Sequence, residues 1–133
     1  MALGKLTPDL SVSPQIQLED LGALAEQGFR TLICNRPDGE GADQPSHREL
    51  AQAAGALGMK LHYLPVQPGA FDQATAQAFG EILQGAATPV LAYCRTGTRS
   101  TTLWALSQTG QRPVAELIAT AQQAGYDLSW LNR

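Results

Sequence analysis

Segments with a strand-like spacing of apolar residues alternate along this chain with segments that have a helix-like spacing. Short apolar or alternating runs predict β-strands, because successive side chains of a strand point to opposite faces of a sheet. Four such runs occur, over residues 10–13, 31–34, 61–66 and 89–93. Apolar residues that recur every three or four positions predict helices over residues 18–29, 46–58, 72–83, 101–109 and 113–125. The pattern therefore predicts strands that alternate with helices.

Residues that favour helix ends support these boundaries. Ser46 and Glu49 form the pattern of a capping box, and Asp72 is a good helix N-cap. Gly110 and Gly125 follow predicted helices, as terminating glycines do. Alternating strands and helices indicate an α/β fold, here one domain over residues 1–133. We expect three layers, α/β/α, around a mostly parallel sheet of four to five strands.

Composition and charge narrow the function classes. The chain has 133 residues, 44% of them apolar, and a net charge of -3. This charge gives no reason to expect binding to nucleic acid or to an acidic membrane surface. No stretch reads as an export signal or as a membrane span. The two cysteines, Cys34 and Cys94, and the two histidines lack the spacing of a metal site, so we expect no metal and no cofactor. The two cysteines also do not resemble a disulfide framework, so we expect a cytoplasmic location.

The segment after the fourth predicted strand carries the strongest chemical signal. Cys94 would leave a buried strand and enter a short loop at the start of a helix, where amide groups and the helix dipole favour a thiolate. The loop would form a ring of donors around an anion, with Gly97 allowing its tight curvature. We therefore predict Cys94 and Arg99 as catalytic residues. The predicted substrate-binding residues of the loop are Arg95, Thr96, Gly97, Thr98 and Ser100.

Other residues of this edge of the sheet have more than one interpretation. Ser100 or Thr101 is placed to hydrogen-bond the sulfur of Cys94. Arg36 follows the second predicted strand, so it is a candidate to bind substrate or to brace the loop, and Asp38 or Glu40 a candidate to pair with a loop arginine. Cys34 fits a core position better than a resolving thiol, although a relay with Cys94 stays open.

The loop and four other segments resemble known families. Cys94-Arg95-Thr96-Gly97-Thr98-Arg99 resembles the Cys-Arg-x-Gly-x-Arg loop of single-domain rhodaneses. Together with residues 12–16, 35–40, 103–106 and 124–128, it resembles the β-lactamase-hydrolase-like, phosphatase-like domain family over almost the whole chain. The resemblance implies a dual-specificity-phosphatase-like fold. Related domains are fused to persulfide dioxygenases and sulfide:quinone oxidoreductases, which implies either enzyme as a partner in sulfide metabolism.

Three functions compete for this loop. Our first interpretation is a thiol sulfurtransferase, in which Cys94 takes sulfur from a small anionic donor, thiosulfate or glutathione persulfide, and passes it to a thiol or cyanide. It rests on the four residues between Cys94 and Arg99, one fewer than in phosphotyrosine phosphatases, and on Pro65-Val66-Gln67-Pro68-Gly69, where such phosphatases place a general acid. The alternatives are a cysteine phosphatase, with Asp72 as the nearest acid, and a non-catalytic module that senses persulfides or anions.

Overall fold

A five-stranded sheet with the order β1-β2-β5-β3-β4 lies at the centre of the computed structural model, which describes residues 2–132. The strands are β1 (Gly4–Thr7), β2 (Leu10–Ser13), β3 (Thr31–Cys34), β4 (Lys60–Tyr63) and β5 (Val90–Tyr93). β1 pairs with β2 antiparallel, and every other pair is parallel. The strand that leads to Cys94 is therefore the central one.

Helices cover both faces of this sheet. They are α1 (Leu21–Glu26), α2 (His47–Ala56), α3 (Gln73–Gly85), α4 (Thr98–Gln108) and α5 (Val114–Gln123), with short 3-10 helices at Leu18–Asp20 and Ser129–Asn132. Ser46 and Glu49 form both bonds of the expected capping box, and the Asp72 side chain accepts the Thr75 amide. Gly28, Gly110 and Gly125 take positive φ after α1, α4 and α5.

Two buried clusters hold the three layers together, and they divide β5 between them. Val90 and Ala92 pack under α3, α4 and α5, together with Phe79, Trp104 and Leu117. Leu91 and Tyr93 pack under α1 and α2, together with Leu24, Leu50 and Cys34. This alternation is the period of a strand buried on both faces. It confirms the predicted three-layer α/β/α arrangement.

The elements differ from the sequence expectation in three places. β1 was not predicted, because Gly-Lys-Leu-Thr lacks an apolar run, yet it pairs with β2 and makes the sheet five-stranded. The strand predicted over 61–66 ends at Tyr63, and the chain continues to Val66 without regular structure. α4 begins at Thr98, three residues before the predicted start, so the second half of the Cys94 loop, from Thr98 to Ser100, forms the first turn of the helix.

Within residues 2–132, none of the helices combines the length and apolarity that crossing a bilayer requires. The same part of the chain brings no three His, Cys, Asp or Glu side chains together as a metal site.

Candidate active site

Cys94 lies between the end of the central strand and the first turn of α4. It follows β5 directly, and Gly97 is the N-cap of α4 with φ 96°, a left-handed conformation that favours glycine. The parallel neighbours β2 and β3 end at the same level, at Ser13 and Cys34. The carboxyl ends of three strands thus surround Cys94, which is where parallel sheets bind ligands.

The sulfur of Cys94 is buried and already accepts one loop amide. Its side chain is 0% exposed, and the Gly97 N–H donates to Sγ at 3.1 Å. α4 begins immediately beyond this amide, so its positive dipole end faces the sulfur. A thiolate is stabilised by both features.

Arg99 is fixed next to the sulfur by a carboxylate from another loop. Its guanidinium donates to both oxygens of Glu40, at 2.8 and 2.9 Å, and to the Val66 carbonyl at 3.0 Å. Hydrogen bonding to Glu40, and then the charge of Cys94, raise the pKa of Arg99. Arg99 therefore stays charged and faces Cys94 in a set orientation. The expected ion pair between Glu40 and a loop arginine is present.

Arg36 contacts the same carboxylate. Its Nε donates to Glu40 at 2.9 Å and its Nη1 to Gln15 at 3.1 Å, and the residue is only 7% exposed. The hydrogen bond from Arg99, and secondarily that from Arg36, lower the pKa of Glu40 against the opposing effect of burial. Arg36 was predicted to bind substrate or to brace the loop. Its contacts brace Glu40, which in turn holds Arg99 of the loop. Substrate binding by Arg36 stays a prediction.

Ser100 and Thr101 differ from the expectation that one of them hydrogen-bonds the sulfur. The buried Ser100 hydroxyl donates to Asn35 Oδ1 at 2.8 Å, and the Thr101 hydroxyl donates to the Gly97 carbonyl at 2.8 Å. Asn35 in turn donates to the Leu64 carbonyl, which links the loop after β3 to the loop after β4. The Ser100 hydroxyl thus holds the loop from behind through Asn35. Substrate binding by Ser100 stays a prediction.

The remaining loop residues form the outer rim of the site. Arg95, Thr96 and Thr98 are exposed, whereas Gly97 is buried. The Thr96 hydroxyl donates to that of Thr98 at 3.0 Å, and the Arg95 carbonyl accepts the Gln15 amide at 3.2 Å. Arg95 and Arg36 border a cavity of about 280 Å³ beside the loop. Arg95 is therefore an exposed cation of the Cys94 loop.

Asp72 and Glu40 are the two carboxylates that we consider as general acids, and both are held by hydrogen bonds or ion pairs. Asp72 caps α3 by accepting the Thr75 amide at 2.7 Å, and this bond lowers its pKa. Glu40 is held by two arginines. Both groups are thereby kept in the carboxylate form, which cannot donate a proton.

Cys34 is a buried thiol at the end of β3. Its thiol donates to the Arg36 carbonyl at 3.3 Å and packs with Tyr93 in the cluster under α1 and α2. Burial raises the pKa of Cys34, which disfavours its thiolate. Cys34 is paired with Tyr93 in the register of β3 and β5. Successive side chains of an extended chain point to opposite faces of the sheet, so the alternation directs Cys94, the residue after Tyr93, away from the face that Cys34 shares with Tyr93. These contacts fit the core interpretation of Cys34.

The chain is similar to known proteins in sequence and in fold. Residues 2–111 match the family model described as the phosphatase-like domain of beta-lactamase hydrolase-like protein. The chain belongs to this family. A curated beta-lactamase hydrolase-like protein of Agrobacterium fabrum is 33% identical over an alignment of 135 positions, which covers 97% of this chain and 31% of that protein. The chain thus spans about a third of the length of this relative.

Solved structures place the family among phosphatase-like folds. A protein from Neisseria meningitidis, provisionally named a phosphatase, is 38% identical with a TM-score of 0.90, covering 98% of this chain and 94% of that one. TpbA of P. aeruginosa, solved in complex with phosphotyrosine, is 18% identical with a TM-score of 0.68, covering 92% and 71%. At that identity TpbA supports the fold alone, and the predicted dual-specificity-phosphatase-like fold is confirmed.

Sequence reasoning missed three contributors to the site. Asn35 and Gln15 are ordinary polar residues at strand ends, and only the sheet order brings them beside the loop. Tyr126 has no predicted role in the site, yet its hydroxyl donates to the Thr96 carbonyl at 3.1 Å. The separation of 30 residues leaves no local signal for this contact. Its position in a segment that resembles the family was the one available indication.

Proposed function

We propose that this chain is a cysteine-dependent phosphatase, in which Cys94 takes the phosphoryl group of a phosphate monoester. The fixed guanidinium of Arg99 beside the sulfur is the observation that carries this proposal. A planar guanidinium with a set orientation matches the oxygens of a phosphoryl group better than a mobile cation does. The family and the Neisseria relative support the same reaction class. This reverses the preference for sulfur transfer that the loop spacing and the segment 65–69 suggested.

The reaction balances in two steps. The Cys94 thiolate forms a bond to phosphorus while the ester P–O bond breaks, and the electron pair leaves with the oxygen of the alcohol. Water then attacks the phosphocysteine, the P–S bond breaks, and phosphate and the thiolate are released. Arg99 and the loop amides stabilise the negative charge of the phosphoryl oxygens in both steps.

The engaged carboxylates define the substrate class that we propose. With Asp72 in a helix cap and Glu40 between two arginines, the leaving oxygen departs best when it needs no proton. A phenolate, whose conjugate acid has a pKa of about 10, meets this condition far better than an alkoxide does. We therefore propose aryl phosphates as substrates.

Turnover of an aryl phosphate, set beside that of an alkyl phosphate, tests this proposal. We expect hydrolysis of the aryl ester, a burst of phenol in the first turnover, and an intact-mass gain of one phosphoryl group on a quenched sample. Cys94→Ser is expected to lose all three, and Arg99→Lys to lose at least about tenfold in kcat/KM, because lysine lacks the paired donors. Absence of turnover with folded protein would overturn the proposal.

Sulfur transfer is the second candidate, and two observations favour it. The sulfur is 0% exposed, and the loop places only four residues between Cys94 and Arg99, which suits one added sulfur atom better than a phosphoryl group. The thiolate would attack the sulfane sulfur of thiosulfate, sulfite would leave with the electron pair, and a thiol or cyanide would remove the sulfur. A persulfide dioxygenase or a sulfide:quinone oxidoreductase would be the partner.

The same mass measurement separates the two candidates. After exposure to thiosulfate, sulfur transfer predicts a gain of one sulfur atom on Cys94 that cyanide removes. A phosphoryl adduct without a sulfur adduct supports the phosphatase, and the reverse supports the transferase.

A further inference from the structure

One peptide group of the loop is hydrogen-bonded on both sides. The Thr96 carbonyl accepts from the Tyr126 hydroxyl at 3.1 Å, and the N–H of the same peptide, that of Gly97, donates to Cys94 Sγ at 3.1 Å. The carbonyl and the N–H of a trans peptide point in opposite directions. Fixing the carbonyl therefore fixes the direction of the N–H.

We propose that Tyr126 is a positioning residue for the nucleophile, which orients the Thr96–Gly97 peptide so that its N–H points at the sulfur of Cys94. Hydrogen bonds in series also polarise one another, so a donor on the carbonyl makes the N–H a better donor to a thiolate. The inference rests on Cys94 as the nucleophile of the proposed function. It holds for phosphoryl and for sulfur transfer alike.

The fit between Tyr126 and Gly97 supports this role. A β-carbon on Gly97 would overlap the Tyr126 hydroxyl, so the phenol occupies the space that only glycine leaves open. Gly97 also has φ 96°, which other residues rarely adopt. The phenol and the loop conformation therefore depend on the same residue.

Tyr126 is itself held in place from three sides. Its amide donates to the Ala121 carbonyl at 2.8 Å in the turn that ends α5, and Leu128 beyond it is 0% exposed. Its ring lies against Gly4 of β1, where a β-carbon would come within 3.4 Å of Cε2. Burial, and then the charge of Cys94, raise the pKa of Tyr126, so the hydroxyl remains a donor. Residue 126 lies beyond the 2–111 match of the family model.

Alkylation of Cys94 in the absence of substrate tests the proposal. Tyr126→Phe keeps the ring and removes the donor. We expect its rate of alkylation by iodoacetamide at neutral pH to fall about two- to tenfold, the range that one neutral hydrogen bond supplies. The pH profile of alkylation is expected to move to higher pH. The matched control is Tyr63→Phe, whose hydroxyl accepts the Asp38 amide instead, and its alkylation rate is expected to stay that of the wild type.

Amide hydrogen exchange at Gly97 gives a second readout. If Tyr126 only stabilised the fold, its loss would not affect the Gly97 amide selectively. We expect Tyr126→Phe to speed exchange at Gly97 while amides of β5 stay protected. An unchanged alkylation profile, or unchanged exchange at Gly97, would overturn the proposal. Because neither measurement uses a substrate, failure of the proposed phosphatase reaction would leave both outcomes intact and separately interpretable.

Discussion

At the scale of single residues, Glu40 determines where the cations of the site lie. One carboxylate accepts three hydrogen bonds from Arg99 and Arg36, whose side chains are 8% and 9% exposed. Without Glu40, two buried like charges would repel each other and keep only neutral acceptors among the described contacts, the Val66 carbonyl for Arg99 and Gln15 for Arg36. Glu40 thus keeps a guanidinium beside the sulfur without leaving buried charge unpaired.

Replacing Glu40 by glutamine tests this role. Glu40→Gln removes the charge and one acceptor, so we expect the free energy of unfolding to fall by about 1.5–3 kcal/mol, the range for hydrogen bonds to charged groups. We also expect kcat/KM to fall at least about tenfold, because Arg99 loses its fixed orientation. Urea unfolding and steady-state kinetics measure the two effects. Glu26→Gln, on the exposed end of α1, is the matched control and should change neither; equal losses in both variants would contradict the assignment.

The pH dependence of stability follows from the same carboxylate. Hydrogen bonding to Arg99 holds the pKa of folded Glu40 below its ordinary value of about 4.3. Its stabilising contribution is therefore complete above that ordinary value and is lost as the pH falls through the lower, folded pKa. We expect the difference in unfolding free energy between the wild type and Glu40→Gln to be full at about pH 6 and to shrink at about pH 3. A difference that grows on acidification would contradict this sign.

At the scale of elements, local sequence signals predicted most helices, whereas the contacts between distant segments at the Cys94 loop depend on the order of strands in the sheet. The Ser46 capping box and the Asp72 cap are contacts between residues close in sequence, so the pattern of side chains predicts them. The contacts of Asn35 with Ser100 and of Tyr126 with Thr96 join residues 65 and 30 positions apart. No spacing rule reaches that far. The sequence therefore predicted Cys94, its loop and the pairing of Glu40 with a loop arginine, but not the contacts of Asn35 and Tyr126 with the loop.

The first turn of α3 offers a direct test of cap against catalyst. Asp72→Asn keeps a good N-cap and removes the acid. We expect kcat and Tm close to those of the wild type, since the Asp72 carboxylate is committed to the Thr75 amide. A general acid would instead contribute about 10²- to 10⁴-fold in kcat, most strongly for alkyl phosphates. A loss of that size with an unchanged Tm would reinstate Asp72 as the acid.

At the scale of the whole molecule, the proposed function requires an acidic protein to attract an anion. The net charge is -3, yet Arg95 is exposed in the Cys94 loop and borders the same cavity as Arg36. Charges act over a Debye length of about 10 Å at 0.1 M salt, so a nearby arginine outweighs scattered acids on distant faces. Local charge, and not the sum over the chain, therefore governs how fast a dianion arrives.

Salt dependence measures this balance. We expect kcat/KM for an aryl phosphate to fall between about 20 mM and about 500 mM NaCl, because screening weakens the attraction to Arg95. Arg95→Gln should lower kcat/KM about three- to tenfold at low salt, mainly through KM, and its salt dependence should be shallower. Arg30→Gln makes the same change of net charge just before β3, at the amino ends of the parallel strands and not at the carboxyl ends that surround Cys94. If both variants respond equally, net charge governs the encounter; if only Arg95→Gln flattens the salt dependence, the attraction originates at the rim of the Cys94 loop.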